Sequence, residues 1–331
     1  MHSYIHCPLV PESNILPMKA ILHELSLEYI DKQFAEFKYV CFVAPEYIEK
    51  RVAGLLKNLF KTKYGQFDFK YRIDGPHVNP VTHRSEPPYH FRVRKADPDK
   101  VLAGDFNLSE KGTYDTLFFA AMNCESDIWA RPESMVEDYN RLNKPNQSVL
   151  YTSLDGSTTL VEADVNVGEL FFIICYKRTK TIVFSDCSRF VAFDELTEEE
   201  NLKRYVIFNL LRNEFVREFP KTYDKQSQYC LSSNVAEHFF IGDGVDAIQY
   251  PSVKGLGANN FAFFGDRAKE CLTPVCIKFC CLKERIDERQ VHIEVIANGF
   301  WLENKFVWTP PKSKLSEELL NDPVLEIFLA K

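Results

Sequence analysis

The chain has 331 residues, a formal net charge of −7 and a hydrophobic fraction of 45%. That apolar fraction is enough for a packed core, and the acidic balance disfavours a nucleic-acid partner, since phosphate backbones are bound by an excess of Lys and Arg. The first twenty residues lack the apolar core of a signal peptide, and no apolar run is long enough to cross a bilayer. The sequence therefore predicts a cytoplasmic protein with no membrane partner.

The first part of the chain is expected to be helical and then mixed. Apolar residues recur every four or five positions within 18–62, which favours helices, whereas 64–100 alternates aromatic residues with Pro and His, which favours short strands and loops. We place a domain boundary near residue 120. This gives an N-terminal extension over 1–120 and a second domain over 121–331.

The second domain alternates predicted strands with predicted helices. The capping-box spacing of Thr197 and Glu200 indicates a helix from about residue 197, and 229–241 predicts another. Asn298-Gly299 is a dipeptide typical of a tight turn, so we expect the chain to end in a hairpin around it. Together these elements predict an α+β domain. Its predicted strands lie at 147–153, 168–176, 181–186 (joined to the preceding strand by the turn KRTK), 246–252 and 259–265.

Ten cysteines are scattered through the chain without a CxxC pair. Most stand in apolar runs, where a thiol behaves as a small hydrophobic group, and this usage is typical of a reducing compartment. The spacing of Cys271, Cys276, Cys280 and Cys281 does not fit known zinc patterns, so we expect no metal site.

The segment RLNKPNQSVLYTSLDGSTTLVE (141–162) contains three residues with two interpretations each. Thr159 and Glu162 have the spacing of a capping box, which would make Glu162 part of a helix start. Arg141 and Tyr151 could likewise be a solvated loop residue and a strand residue. The alternative is that all three residues line one site, with Glu162 as a carboxylate that takes part in chemistry.

The combination of motifs favours the second interpretation, because it resembles the RES domain family, named for Arg, Glu and Ser. The resemblance covers about 125–270, in which RLN, VLYTS and TTLVE are followed by GVDAIQYPSVKGLGANNFAFF. Ser252 matches the family serine, with Asn259 or Asn260 in its companion position. The family often has an aromatic–Arg pair upstream, for which Trp129 and Arg131 are the candidate.

The resemblance implies a fold similar to ADP-ribosyltransferases and NAD⁺ as the substrate, with no required cofactor. Glu162 would stabilise the positive charge that develops on the ribose when nicotinamide leaves, and Arg141 would bind the pyrophosphate. Tyr151 would stack on nicotinamide or use its hydroxyl, and Ser252 would orient an amide or a phosphate. The remaining implied NAD⁺-binding residues are Asn259, Asn260 and Arg131.

The reaction implied is cleavage of the nicotinamide–ribose bond by water or phosphate, as in RES-type toxins. Transfer of ADP-ribose to a protein and a non-catalytic module that binds a nucleotide or a partner remain alternatives. Implied partners are a neutralising antitoxin or regulatory protein and a second copy of the chain in a homodimer. We expect the 1–120 extension to regulate or dock.

Overall fold

The computed structural model describes residues 70–73, 77–78, 85–86, 89–96, 125–187, 225–242, 244–254, 258–287, 290–302, 305–314 and 316. Its strands are β1 (Lys70–Ile73), β2 (His77–Val78), β3 (Ser85–Glu86), β4 (Tyr89–Lys95), β5 (Val149–Ser153), β6 (Leu170–Arg178), β7 (Ile182–Asp186), β8 (Ala247–Pro251), β9 (Asn259–Phe264), β10 (Leu272–Arg285), β11 (Val291–Leu302) and β12 (Lys305–Thr309). Its α-helices are α1 (Glu125–Ile128), α2 (Gly156–Glu162), α3 (Lys225–Val235) and α4 (Arg267–Cys271). A 3₁₀ turn spans Glu133–Met135 and a π-helix spans Ala236–Phe240.

Ten of these strands form one sheet in the order β1-β7-β8-β9-β5-β4-β6-β10-β11-β12, and β2 pairs with β3 separately. β7 and β8 run parallel, whereas the other neighbours in the large sheet are antiparallel. The described residues thus form a mixed domain dominated by strands, as the α+β prediction requires. No helix among them is long and apolar enough to span a membrane.

The sheet cannot be flat, because β6 and β7 are joined by only three residues, 179–181. Five steps between neighbouring strands separate them in the sheet, which is roughly 24 Å at the usual strand spacing. The connection can reach at most about 15 Å when fully extended. The two halves, β1-β7-β8-β9-β5 and β4-β6-β10-β11-β12, therefore face each other, and the turn predicted at KRTK crosses from one half to the other.

The main core lies between the two facing halves. Phe172 and Ile174 from β6 and Phe279 from β10 share one buried cluster with Phe184 from β7 and Phe261 from β9. A second cluster forms where α2 packs on the outer face of the second half, with Leu160 of α2 among Tyr89, Phe91, Phe171 and Ile173. Packing on both faces explains why the β6 sequence FFIICY is continuously apolar instead of alternating.

The predicted strands within 121–331 are confirmed, and the predicted helix at 229–241 is observed as α3 followed by the π-helix. The helices predicted within 18–62 and from residue 197 lie outside the described residues. The described cysteines are free thiols and all are buried, as their apolar surroundings predicted; they are Cys175, Cys187, Cys230, Cys271, Cys276, Cys280 and Cys281.

The predicted turn at Asn298-Gly299 is wrong. β11 runs through both residues, and the hairpin partner β12 begins at Lys305. A Cβ atom at Gly299 would lie 2.6 Å from a ring carbon of Phe306 and 3.0 Å from one of Trp308. The glycine is therefore explained by the close approach of two aromatic rings to the strand, which is another established use of glycine inside strands.

The predicted boundary near residue 120 falls between β4 and the strands that β4 contacts. β4 lies near the middle of the sheet, between β5 and β6, and its Phe91 is opposite both Ser153 and Cys175. Residues 89–96 therefore belong to the same sheet as the domain assigned to 121–331.

β4 also contributes a buried histidine to the main core. His90 is fully buried between the rings of Phe261 and Phe263, at 5.1 and 5.4 Å, and its Nδ1 is 3.1 Å from Thr152 Oγ1. Burial disfavours the charged imidazolium and lowers the pKa of His90 to about 3. The imidazole is therefore neutral in the folded protein at neutral pH.

We expect His90 to make the folded protein less stable as the pH falls from about 6.5 to about 3. In this window the unfolded chain takes up a proton that folded His90 cannot, which removes roughly 1.4 kcal/mol of unfolding free energy per pH unit. Urea unfolding between pH 5.5 and 6.5 tests this, because the lowered pKa of Glu169, whose ordinary value is 4.5, affects stability below that range.

The His90→Gln variant should lose this pH dependence, whatever its stability at neutral pH. The matched control is His292→Gln, because His292 is exposed. An unchanged pH slope in His90→Gln would contradict the assignment.

Candidate active site

A cleft opens where the two central strands diverge. β4 and β5 pair at one position, Phe91 opposite Ser153. Beyond this pair a cleft of about 330 Å³ lies between the strands and is covered by residues from several elements. Its lining residues are Arg92, Val93, Asn140, Arg141, Tyr151, Thr152, Thr159, Glu162, Ala163, Tyr229, Tyr250 and Asn260.

Glu162 is not a helix cap. The N-cap of α2 is Asp155, whose carboxylate accepts hydrogen bonds from the backbone N–H groups of Ser157 and Thr158 at 3.1 and 3.3 Å. Glu162 is the last residue of α2, and Thr159 donates its hydroxyl to the Gly156 carbonyl. The capping-box interpretation is therefore wrong, because Asp155 already satisfies the amide groups that a cap would bind.

One oxygen of Glu162 is fixed by three donors. Oε1 accepts hydrogen bonds from Ser252 Oγ at 2.5 Å, from the Val253 backbone N–H at 3.1 Å and from Asn260 Nδ2 at 3.1 Å. Within the described part of the chain, no hydrogen bond to Oε2 is observed. Ser252 and Asn260 thus orient the carboxylate in the cleft, with one oxygen held by the protein.

The orienting groups come from the end of β8 and the start of β9. Ser252 follows the last residue of β8, and its backbone N–H donates to the Ala258 carbonyl at 2.9 Å. Asn260 lies near the start of β9 and is 5% exposed. Asn259, the other predicted companion of Ser252, accepts the Ser153 hydroxyl on its backbone carbonyl and is not among the residues that line the cleft.

Two arginines line the same cleft as this carboxylate. Arg141 lies on the loop before β5, and its Cζ is 5.5 Å from the centre of the Tyr229 ring. Arg92 projects from β4, and its Nη1 donates to the carbonyls of Ile128 and Trp129 at 3.2 and 2.7 Å. The cleft therefore combines one carboxylate with two arginines, a charge distribution suited to a ligand with an anionic group beside a centre that becomes positive.

Tyr151 supports the loop that carries Arg141. Its hydroxyl donates to Asn143 Oδ1 at 2.7 Å and accepts the Leu142 backbone N–H at 3.2 Å. Its ring packs edge-on against Tyr250, with centroids 6.3 Å apart. Burial raises the pKa of the Tyr151 hydroxyl, so it stays protonated and can keep donating to Asn143.

We expect Tyr151→Phe to lower the affinity for an anionic ligand and the stability together. The change removes both hydrogen bonds to the loop and leaves Asn143 and the Leu142 N–H without the hydroxyl, which costs about 1–3 kcal/mol for partly buried groups. Thermal unfolding and ligand titration measure the two effects. The matched control is Tyr139→Phe, on the same loop but not among the residues that line the cleft, and a Tyr151→Phe protein with unchanged affinity would show that the hydroxyl does not position the loop.

The side chain of Arg131 is exposed and lies outside the cleft, and its carbonyl accepts the Ser148 hydroxyl at 2.7 Å. The sequence offers a second aromatic–Arg pair, Phe91-Arg92, and the structure places this pair at the cleft. Sequence reasoning missed Arg92 because it lies more than thirty residues before the recognised motifs. It also missed Tyr229, because no local sequence pattern indicates that this residue lies at a site.

The comparisons with known proteins agree with the motifs. Residues 126–278 match the family model described as RES domain. The family is associated with NAD-related toxin modules. No curated protein and no solved structure matched the chain. The matched region contains Glu162, Arg141, Tyr151 and Ser252, whereas β4 with Arg92 lies before it.

Proposed function

We propose that this protein is an enzyme that degrades NAD⁺ by cleaving the nicotinamide–ribose bond. The observation that carries the proposal is Glu162, whose Oε1 is fixed by three donors in a cleft that also contains Arg92 and Arg141. A carboxylate held in this way is already oriented before a substrate binds, which is the condition for strong electrostatic stabilisation of a transition state.

The chemistry follows from the charges of the substrate. When the bond from C1′ of the ribose to the nicotinamide nitrogen breaks, its electron pair goes to nicotinamide, which leaves as a neutral molecule, and C1′ becomes cationic. Oε2 of Glu162 stabilises that cation or accepts a hydrogen bond from a ribose hydroxyl. Arg141 and Arg92 bind the pyrophosphate oxygens. Water then adds to C1′ and loses a proton to the solvent, or a phosphate oxygen adds to C1′ instead.

Of the two alternatives, one shares this cleavage of the nicotinamide–ribose bond, and the other involves no cleavage. Transfer of ADP-ribose to a protein differs only in the acceptor that adds to C1′. A non-catalytic module that binds a nucleotide or a partner would not require a carboxylate with three donors on one oxygen. The orientation of Glu162 therefore favours catalysis over binding alone.

Incubation of the purified full-length chain with NAD⁺, with and without phosphate, tests the proposal. Hydrolysis gives nicotinamide and ADP-ribose, phosphorolysis gives nicotinamide and phosphorylated ADP-ribose, and transfer gives adenine label on protein. Chromatography separates these products. Absence of nicotinamide release under all conditions would overturn the proposal, and Glu162→Gln serves as the inactive control.

The wider proposal is that the activity is toxin-like, needs no cofactor and takes place in the cytoplasm. Depletion of cellular NAD⁺ after induced expression of the wild-type chain, but not of Glu162→Gln, would support the toxin-like role. An antitoxin or regulatory protein and a homodimer are proposed partners on the same family basis.

A further inference from the structure

Helix α3 and the π-helix after it contact the loop that carries Arg141 at three points. Lys225 forms an ion pair with Asp138 at 3.0 Å, the Tyr229 ring lies 5.5 Å from Arg141 Cζ, and Glu237 forms an ion pair with Lys144. The three partners on the loop, Asp138, Arg141 and Lys144, follow one another at three-residue intervals. This helical segment therefore runs alongside the loop and contacts it along its length.

The three contacts differ in strength. Lys225 and Asp138 have side chains that are 55% and 62% exposed, so water and salt weaken their attraction. The side chain of Lys144 is only 12% exposed, and its ion pair with Glu237 is better shielded. Of the three residues with which the helical segment contacts the loop, Tyr229 is the one that also lines the cleft.

The contact between Tyr229 and Arg141 restricts the arginine without consuming its donors. A guanidinium group over an aromatic ring is attracted to the negative face of the ring, and this attraction places no acceptor on its N–H groups. Arginine otherwise loses considerable side-chain freedom when it binds a ligand. A ring that holds the guanidinium beforehand reduces that entropic cost and raises affinity.

We propose that Tyr229 is a positioning residue, whose ring holds Arg141 in the cleft so that the guanidinium is ready to bind the pyrophosphate of a dinucleotide. The inference rests on the proposed function and adds a residue on α3 to it. Tyr229 acts through Arg141, so its effect falls on the affinity for pyrophosphate and not on the cleavage of bound NAD⁺.

Titration calorimetry with ADP-ribose and single-turnover kinetics with NAD⁺, both on the full chain, test the proposal. Tyr229→Leu is expected to weaken ADP-ribose binding roughly three- to thirtyfold, with a single-turnover rate at saturating NAD⁺ within about twofold of the parent. Tyr229→Phe keeps the ring face and should bind like the parent. In an Arg141→Met background, Tyr229→Leu should have no further effect, because the partner is already gone.

A series of ring-fluorinated phenylalanines at position 229 keeps the test valid if Tyr229→Leu does not fold. Mono-, di- and trifluorinated rings have nearly the size of the Phe ring but a progressively weaker negative face. Affinity should fall stepwise along the series, and a cooperative thermal transition at each step shows that the protein still folds.

Equal affinity along the fluorinated series, or additive effects of Tyr229→Leu and Arg141→Met, would overturn the inference. A parent protein that binds ADP-ribose with this dependence on Tyr229 but releases no nicotinamide would remove the proposed catalysis and keep the positioning role. A parent protein that releases nicotinamide but does not bind ADP-ribose would overturn the positioning role and leave the proposed catalysis in place.

Discussion

Replacing Glu162 by Gln is expected to lower NAD⁺ turnover by about a hundred- to a thousandfold. The substitution removes a negative charge at the position where the ribose becomes positive. Gln can place its carbonyl oxygen where Oε1 lies and still accept from Ser252, Val253 and Asn260. The shape of the cleft and the affinity for NAD⁺ should therefore change little, and the loss should appear in the rate of bound substrate.

Nicotinamide release under single-turnover conditions measures this effect, with thermal unfolding as the check on folding. A matched control is Glu169→Gln, because Glu169 is a partly exposed glutamate paired with Lys95 at 2.8 Å and is not among the residues that line the cleft. This control should retain parental turnover. A Glu162→Gln protein that consumes NAD⁺ within a few-fold of the parent rate would contradict the catalytic role of Glu162.

The fragment 121–331 is expected not to fold into the native sheet. It lacks β4, which lies between β5 and β6 and supplies Tyr89, His90 and Phe91, each 2% exposed or less. Loss of one buried Phe typically costs about 3–5 kcal/mol, which is comparable to the entire stability of many domains. The fragment loses Phe91 together with two other buried side chains and the strand between β5 and β6.

Circular dichroism and analytical ultracentrifugation of the fragment, beside the full-length chain, measure this outcome. The full-length Phe91→Ala variant provides a milder test of the same contact, and it should unfold at a lower urea concentration than the parent. A soluble, cooperatively unfolding 121–331 fragment with parental NAD⁺ turnover would show that neither β4 nor Arg92 is needed. The first 120 residues would then have the regulatory or docking role expected from the sequence.

Several features of this protein are determined by local sequence. Val149–Ser153 and Leu170–Arg178 form strands because they are rich in β-branched and aromatic residues, and their boundaries follow from neighbouring turn residues. The order of Arg141, Tyr151, Glu162 and Ser252 carried the resemblance to the RES domain, whose family model matches residues 126–278, since each motif is short and can be read without knowing the fold. These properties depend on residues close together in the chain, which is why sequence alone was sufficient.

The pairing of distant segments was decided only by the tertiary structure. Glu162 has the spacing of a cap, but Asp155 occupies that position, and the role of Glu162 became visible only when Ser252 and Asn260 reached its Oε1 from ninety or more residues away. Gly299 was predicted to lie in a turn, whereas the structure shows that the rings of Phe306 and Trp308 lie close to it within a strand.

Arg92 gave no local signal of its partners, because a strand sequence specifies which faces are apolar but not which strand lies beside it. The long-range contacts of β4 with β5 and β6 place Arg92 at the cleft. The same limit applies to Tyr229, whose partner Arg141 lies on a loop far from it in the chain. The sequence by itself thus determined the strands and the motif residues, whereas the folding of one sheet into two facing halves decided which of them share a site.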